Sequence, residues 1–154
     1  MIVAIKNRED EKAMAKITVG VGAVVFKDET ILLIKRGKEP FLGQWSIPGG
    51  GLEYGERLED GMRREVLEET NVTIKDVRRL GVFEALPIEG QGSGHVILID
   101  YFAQWASGEA KAGDDAAEAV FVPIEDAIER VIWDETRKAI QIALKLREEA
   151  LKAP

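Results

Sequence analysis

The segment from residue 48 to residue 70 constrains this chain more than any other. Pro48-Gly49-Gly50-Gly51 cannot continue a helix, because proline lacks an amide hydrogen and glycine loses the most backbone freedom on ordering. Residues 57–70 soon follow with no proline, many Glu, Leu, Met and Arg, and Leu58, Met62 and Val66 four residues apart. That spacing predicts a helix with one apolar stripe. A specialised backbone segment leading into a charged helix needs a scaffold on both sides.

Strand signals supply that scaffold. Residues 17–26 are Val-rich, 27–30 are polar and 31–34 are apolar, which reads as a β-hairpin. Residues 35–44 carry Gly37, Pro40 and Gly43 and read as a loop. Asn71 tolerates the left-handed conformation that ends helices. Further strands are expected over 73–86, 95–105 and 119–122. A closing helix over 134–151 places Ala139, Ile140, Ala143, Leu144, Ala150 and Leu151 on one face behind an Asp134 cap. The order strands, helix, strands, helix predicts an α/β (α+β) fold. No repeat or linker divides the chain, so residues 17–154 read as a single domain preceded by a charged extension, 1–16. Its opening apolar run is too short for a signal peptide or a membrane span.

Charge narrows the partners. With 21 Lys and Arg against 28 Asp and Glu among 154 residues, the net charge is −7. Such a surface repels phosphate backbones, so nucleic acid is not an expected partner; the short apolar run argues against a membrane partner, and the lack of cysteine points to a cytoplasmic location. There is no cysteine, hence no disulfide, thiolate metal site or cysteine nucleophile.

Glu65, Glu68 and Glu69 stand at i, i+3 and i+4 of the predicted helix, so their carboxylates crowd one side of it. Two readings fit that crowding: a solvated acidic face, or a site for a hard divalent cation such as Mg²⁺ or Mn²⁺, which prefers oxygen ligands.

The surrounding residues add a longer pattern: Gly50, five residues, Glu56, seven residues, Arg64-Glu65-Val66, one residue, Glu68-Glu69, one residue, Asn71, Val72. This resembles the Nudix box of pyrophosphohydrolases, with eight of its nine fixed positions met. The departure is Asn71, where the family has Gly; both accept positive φ after a helix. Arg57 stands where the family often has Ser or Thr, removing a possible cap. The resemblance, over about residues 17–150, implies a Nudix-like α/β/α sandwich with a mixed central sheet. It implies Glu65, Glu68 and Glu69 as Mg²⁺ ligands, with Mn²⁺ as a substitute and the Gly49 carbonyl as a further ligand. Gly50, Glu56 and Arg64 would support them, Arg64 orienting the carboxylates.

Outside the box, a general base is expected either among these glutamates or in the loop 108–118, where Glu118 fits the family pattern best and Asp114 and Asp115 are alternatives. Arg36, at the end of the second strand, reads either as a contact to substrate phosphate or as a surface charge. Phe41, Phe83, Tyr101 and Trp105 are candidates for stacking a base, Phe83 foremost, although aromatics more often belong to the core. His95 reads as a structural residue at a strand start.

Residues 31–36, 41–51, 80–83 and 114–118 resemble the ADP-ribose pyrophosphatase-like branch. The implied reaction is metal-dependent hydrolysis of a nucleoside diphosphate linked to another moiety, with ADP-ribose giving AMP and ribose 5-phosphate. Two other readings are a nucleoside triphosphate pyrophosphohydrolase and a catalytically silent nucleotide-sensing domain. The crowded carboxylates count against silence, since a pure binder has no need of them. The partner is then a small nucleotide. A homodimer is possible through residues 1–16 or the terminal helix, and Gly90, Gly92 and Gly94 suit a mobile loop near the substrate.

Overall fold

The computed structural model describes residues 16–89 and 94–152; all of the extension 1–16 but its last residue, and the glycines at 90 and 92, lie outside the described residues. Seven strands form one mixed sheet: β1 (Ile17–Lys27), β2 (Thr30–Arg36), β3 (Trp45–Ser46), β4 (Gly49–Gly51), β5 (Thr73–Ala85), β6 (His95–Ser107) and β7 (Ala116–Pro123). The strand order is β3-β2-β1-β6-β5, with β4 paired to β1 and β7 to β2. The β1–β6 pairing is parallel, from Ile17 opposite His95 to Phe26 opposite Gln104, and the other pairings are antiparallel.

Alternation along β1 explains the layers. Val21, Ala23 and Val25 point to one face, where Met62 and Val66 of helix α1 (Leu58–Thr70) cover them. Val24 and Phe26 point to the other, where Ala139, Ile140 and Ala143 of helix α3 (Asp134–Lys152) pack. A strand buried on both faces reads as a continuous apolar run, which is why residues 21–26 show no polar alternation. The result is the expected α/β/α sandwich around a mixed sheet. Between β7 and α3 lies a short helix, α2 (Ile124–Arg130), beyond the expected elements; Ile124, Ala127 and Ile128 give it an apolar stripe of barely two turns. No described helix is long and apolar enough to cross a membrane.

Helix α1 ends as expected. Asn71 adopts φ 62°, and its N–H donates to the Leu67 carbonyl at 2.9 Å. Its start is less well made, for Arg57 occupies the cap position with extended backbone and makes no side-chain cap hydrogen bond. Glu59 and Asp60 in the first turn compensate in part by complementing the helix dipole. Arg57→Ser is therefore expected to raise unfolding free energy by about 0.5–1 kcal/mol, read from denaturant midpoints; an unchanged midpoint would show that the N-terminal amides are already satisfied by water.

Candidate active site

Helix α1 lies against β4, and this contact forms the acidic end of a cavity of about 610 Å³. Gly49, Gly50, Glu65 and Glu69 line that end, and Arg36, Phe41, Asp114 and Trp133 line other parts. Gly50 is required by proximity: a Cβ there would stand 2.4 Å from Glu65 Oε2, inside van der Waals contact. Glycine alone lets the Glu65 carboxylate rest on the β4 backbone.

The three glutamates expected as ligands do not share one environment. Glu65 and Glu69 are buried, 9% and 6% exposed, whereas the Glu68 side chain is 44% exposed. Arg64 ties the group together. Its Nε donates to Glu56 Oε2 at 2.7 Å and its Nη2 to Glu56 Oε1 at 3.0 Å, a two-pronged contact. Its Nη1 bridges Glu65 Oε1 at 2.8 Å and Glu68 Oε2 at 3.1 Å, and Nη2 also donates to the Gly51 carbonyl at 3.1 Å. One guanidinium thus links the loop before the helix, the β4 backbone and two carboxylates.

Electrostatics follow from that geometry. The Arg64 hydrogen bonds, helped by the local backbone, hold the Glu56 carboxyl below its usual range, and Glu56 in turn raises the Arg64 pKa. Burial pushes Glu65 upward against the pull of Arg64, with the Glu68 and Asp114 charges adding to the rise. Glu69 is driven up to about 8, first by burial and then by the neighbouring Glu65 charge, although the Gly49 N–H and the Arg36 charge oppose it. Its Oε2 is buried with no hydrogen-bond partner among the described residues. Among the described residues no three carboxylate or imidazole groups converge into a closed cage. The donor set still fits a cation: two buried carboxylates, one with an orphaned oxygen, share too little positive charge, and hard divalent ions take such oxygens.

The other candidates divide. Arg36 lines the cavity, its Nε donating to the Pro40 carbonyl at 2.8 Å. Phe41 lines it too and meets Trp133 edge-on, with centroids 4.7 Å apart. Glu118 does not line it. It pairs with Lys35 at 3.4 Å on a side chain 55% exposed, because β7 runs antiparallel to β2 and sets residues 118 and 35 opposite each other. Asp114 and Asp115, from the turn before that strand, line the cavity instead. Phe83 belongs to the core cluster that also holds Phe102 and is absent from the lining; in the antiparallel register it stands opposite Leu98. Tyr101 is likewise core, and Trp105 donates its Nε1–H to the Gly108 carbonyl at 2.7 Å. His95 pairs with Ile17 at the start of β6, outside the lining.

Trp133 and Asp100 are among the lining residues not expected from the sequence. Trp133 lies between helices, where no periodic pattern singles it out. Asp100 carried a signal, being the one charge inside the apolar strand 96–103 and sharing the parity of Leu98 and Phe102.

A NUDIX domain model matches residues 16–142. An ADP-ribose pyrophosphatase from Methanocaldococcus jannaschii is 40% identical over 124 residues, 79% of this chain and 72% of that protein. Among solved structures, a MutT NUDIX hydrolase from Burkholderia pseudomallei aligns with a TM-score of 0.68 at 27% identity, covering 82% of this chain and 97% of that one. A bifunctional NMN adenylyltransferase/ADP ribose pyrophosphatase from Francisella tularensis, complexed with AMP and a Mn ion, aligns at 25% identity and a TM-score of 0.68 over 96% of this chain and 46% of its own. The match spans the sheet, the box helix and about the first half of α3, and the chain belongs to the NUDIX family.

Proposed function

We propose that this Nudix pyrophosphohydrolase cleaves a nucleoside diphosphate linked to a second moiety, with ADP-ribose as the preferred substrate, in the presence of Mg²⁺ or Mn²⁺. The observation that carries the reading is the pair of buried carboxylates, Glu65 and Glu69, crowded beside Gly49 and Gly50 at one end of a nucleotide-sized cavity. The 40%-identical relative is named for ADP-ribose hydrolysis, and the Francisella structure holds AMP and Mn. In this reading Glu65, Glu68 and Glu69, with the Gly49 carbonyl, hold the divalent ion. When bound, that ion neutralises diphosphate charge and lowers the pKa of a coordinated water.

The chain's own residues do the rest. Arg64 and Glu56 fix the directions of Glu65 and Glu68 before substrate arrives, so little reorganisation is left for the reaction. Arg36 binds a phosphate oxygen from the cavity wall. Asp114 takes the place expected of Glu118: it reaches the cavity and its charge already bears on Glu65, so it receives the proton of the attacking water. Water adds to one phosphorus, the bridging P–O bond breaks, and ADP-ribose yields AMP and ribose 5-phosphate.

A substrate panel with each metal tests this. ADP-ribose is expected to show a higher kcat/KM than any nucleoside triphosphate, and EDTA to stop turnover. Triphosphates winning, with pyrophosphate released, would overturn the branch assignment; full turnover after exhaustive chelation would overturn the metal role.

A further inference from the structure

We infer that Asp100 is a specificity-determining residue, whose carboxylate at the floor of the cavity accepts two neighbouring hydrogen-bond donors from the substrate's nucleoside. The inference rests on the proposed function and names what its substrate must offer: adjacent donors, as a ribose cis-diol or an amino-bearing base edge provides.

Asp100 occupies a position that a structural role does not explain. It lies between Leu98 and Phe102 on the face of β6 turned toward α3, where its neighbours are apolar. It is 4% exposed, and among the described residues no hydrogen bond or ion pair reaches its carboxylate. Burying an acid in this way costs stability unless a partner arrives. Burial by itself raises its pKa to about 6, which still leaves it ionised at neutral pH with both oxygens as acceptors.

The surroundings open this acid to a ligand. Gly22 stands opposite Asp100 in the parallel β1–β6 register, and a Cβ on Gly22 would lie 2.9 Å from Asp100 Oδ1 and 3.2 Å from the Pro48 carbonyl. A Cβ on Gly20 would meet Leu98 Cδ2 at 2.9 Å. Both glycines line the cavity with Asp100, so their missing side chains are the recess through which the carboxylate is reached.

Spacing selects the part of the substrate. Gly22 pairs with Asp100 on one side and with Gly49 on the other, so two strand spacings, about 10 Å, separate Asp100 from the acidic end of the site. That is the reach of a nucleoside from its own phosphate. Charge sets the orientation: a carboxylate repels phosphate, which belongs with Arg36, and favours the neutral donor-bearing end.

The test is equilibrium binding, measured calorimetrically without turnover. AMP, 2′-deoxy-AMP, 3′-deoxy-AMP and IMP are the probes for wild type, Asp100→Asn and Asp100→Ala, with circular dichroism to check folding and ADP-ribose cleavage measured separately. The analogue lacking the contacted donor is expected to bind wild type at least tenfold more weakly than AMP and to bind Asp100→Ala as AMP does. Loss with the deoxy analogues identifies the diol; loss with IMP identifies the base amine. For cleavage, Asp100→Asn is expected to raise KM more than it lowers kcat. Equal binding of all four probes to wild type overturns the inference whether or not a variant folds. So does equal weakening of every probe by both substitutions, the pattern of a merely structural residue. Probe binding that depends on Asp100 without any ADP-ribose cleavage overturns the hydrolysis reading and leaves the inference standing; cleavage with Asp100 variants unimpaired does the reverse.

Discussion

Glu69→Gln is expected to lower kcat/KM by about a hundredfold or more while making the metal-free protein more stable at pH 8 and above. The two effects have one cause. A carboxylate 6% exposed, beside Glu65 and with one oxygen lacking a partner, is poorly accommodated as an anion until a cation joins it. Its folded pKa of about 8 lies above the ordinary glutamate value of 4.5, so the folded state holds a proton that the unfolded chain has released between those pH values. Stability from this group is therefore complete below about pH 4.5 and is lost as pH rises to about 8, a change on the order of a few kcal/mol. Glutamine carries no such dependence. Thermal melts in EDTA from pH 5 to 9 should fall for wild type more steeply than for Glu69→Gln. Adding Mg²⁺ at pH 8 should raise the wild-type midpoint and leave the variant nearly unmoved. Glu68→Gln should lose activity on a similar scale without the gain in stability, because its side chain is already solvated. Glu59→Gln, which loosens an exposed pairing with Arg63 at 3.6 Å and removes one first-turn charge away from the site, should leave activity within about twofold. Equal losses at Glu59 and Glu69 would mean that the active face of α1 has been misassigned.

The contrast between Glu69 and Glu118 shows what a sequence reveals about such a site. The box is local: a helix period fixes which side Glu65, Glu68 and Glu69 share, and Arg64 falls within reach of Glu68 one turn on. The same logic made both main helices and most strands legible, since the apolar runs of 17–34 and the stripe of α3 depend on nearest neighbours. Glu118 depends on a long-range register. Only the pairing of β7 with β2 turns it toward Lys35 and brings Asp114 and Asp115 to the cavity instead. The placement of Phe83 in the core is hidden for a related reason: aromatic character does not tell which strand partners a side chain meets until β6 is placed opposite β5. Helix α2 is not legible in sequence because seven residues leave too few repeats to distinguish a helix from a turn. Asp100 was readable in principle, as a charge on a core-facing parity, but its neighbour Gly22 lies 78 positions earlier in the chain and its meaning comes from that pairing.

Arg64→Ala is expected to fail in the opposite manner from Glu69→Gln, losing activity and stability together. Deleting the guanidinium removes charge-assisted bonds to Glu56, Glu65 and Glu68 and the contact to the Gly51 carbonyl, and leaves acidic groups facing one another with no cation between them. A loss of about 2–3 kcal/mol in unfolding free energy follows from hydrogen bonds of this kind. Activity should fall by about a hundredfold or more, since Glu65 and Glu68 would no longer be held in place before substrate binds. Arg64→Lys is the informative companion. Lysine restores the charge but not the planar fork that engages both Glu56 oxygens while spanning Glu65 and Glu68. It should recover much of the stability and little of the activity. If lysine restores turnover fully, only net charge is needed and the fixed directions of the carboxylates are incidental. If Arg64→Ala keeps its midpoint but loses activity, the loop-to-helix tie does not stabilise the fold and Arg64 acts on the reaction alone. Denaturant midpoints and kcat/KM measured on both variants under one metal concentration separate these outcomes, because Mg²⁺ can replace some of the lost positive charge but cannot rebuild the link from α1 to Glu56 and Gly51.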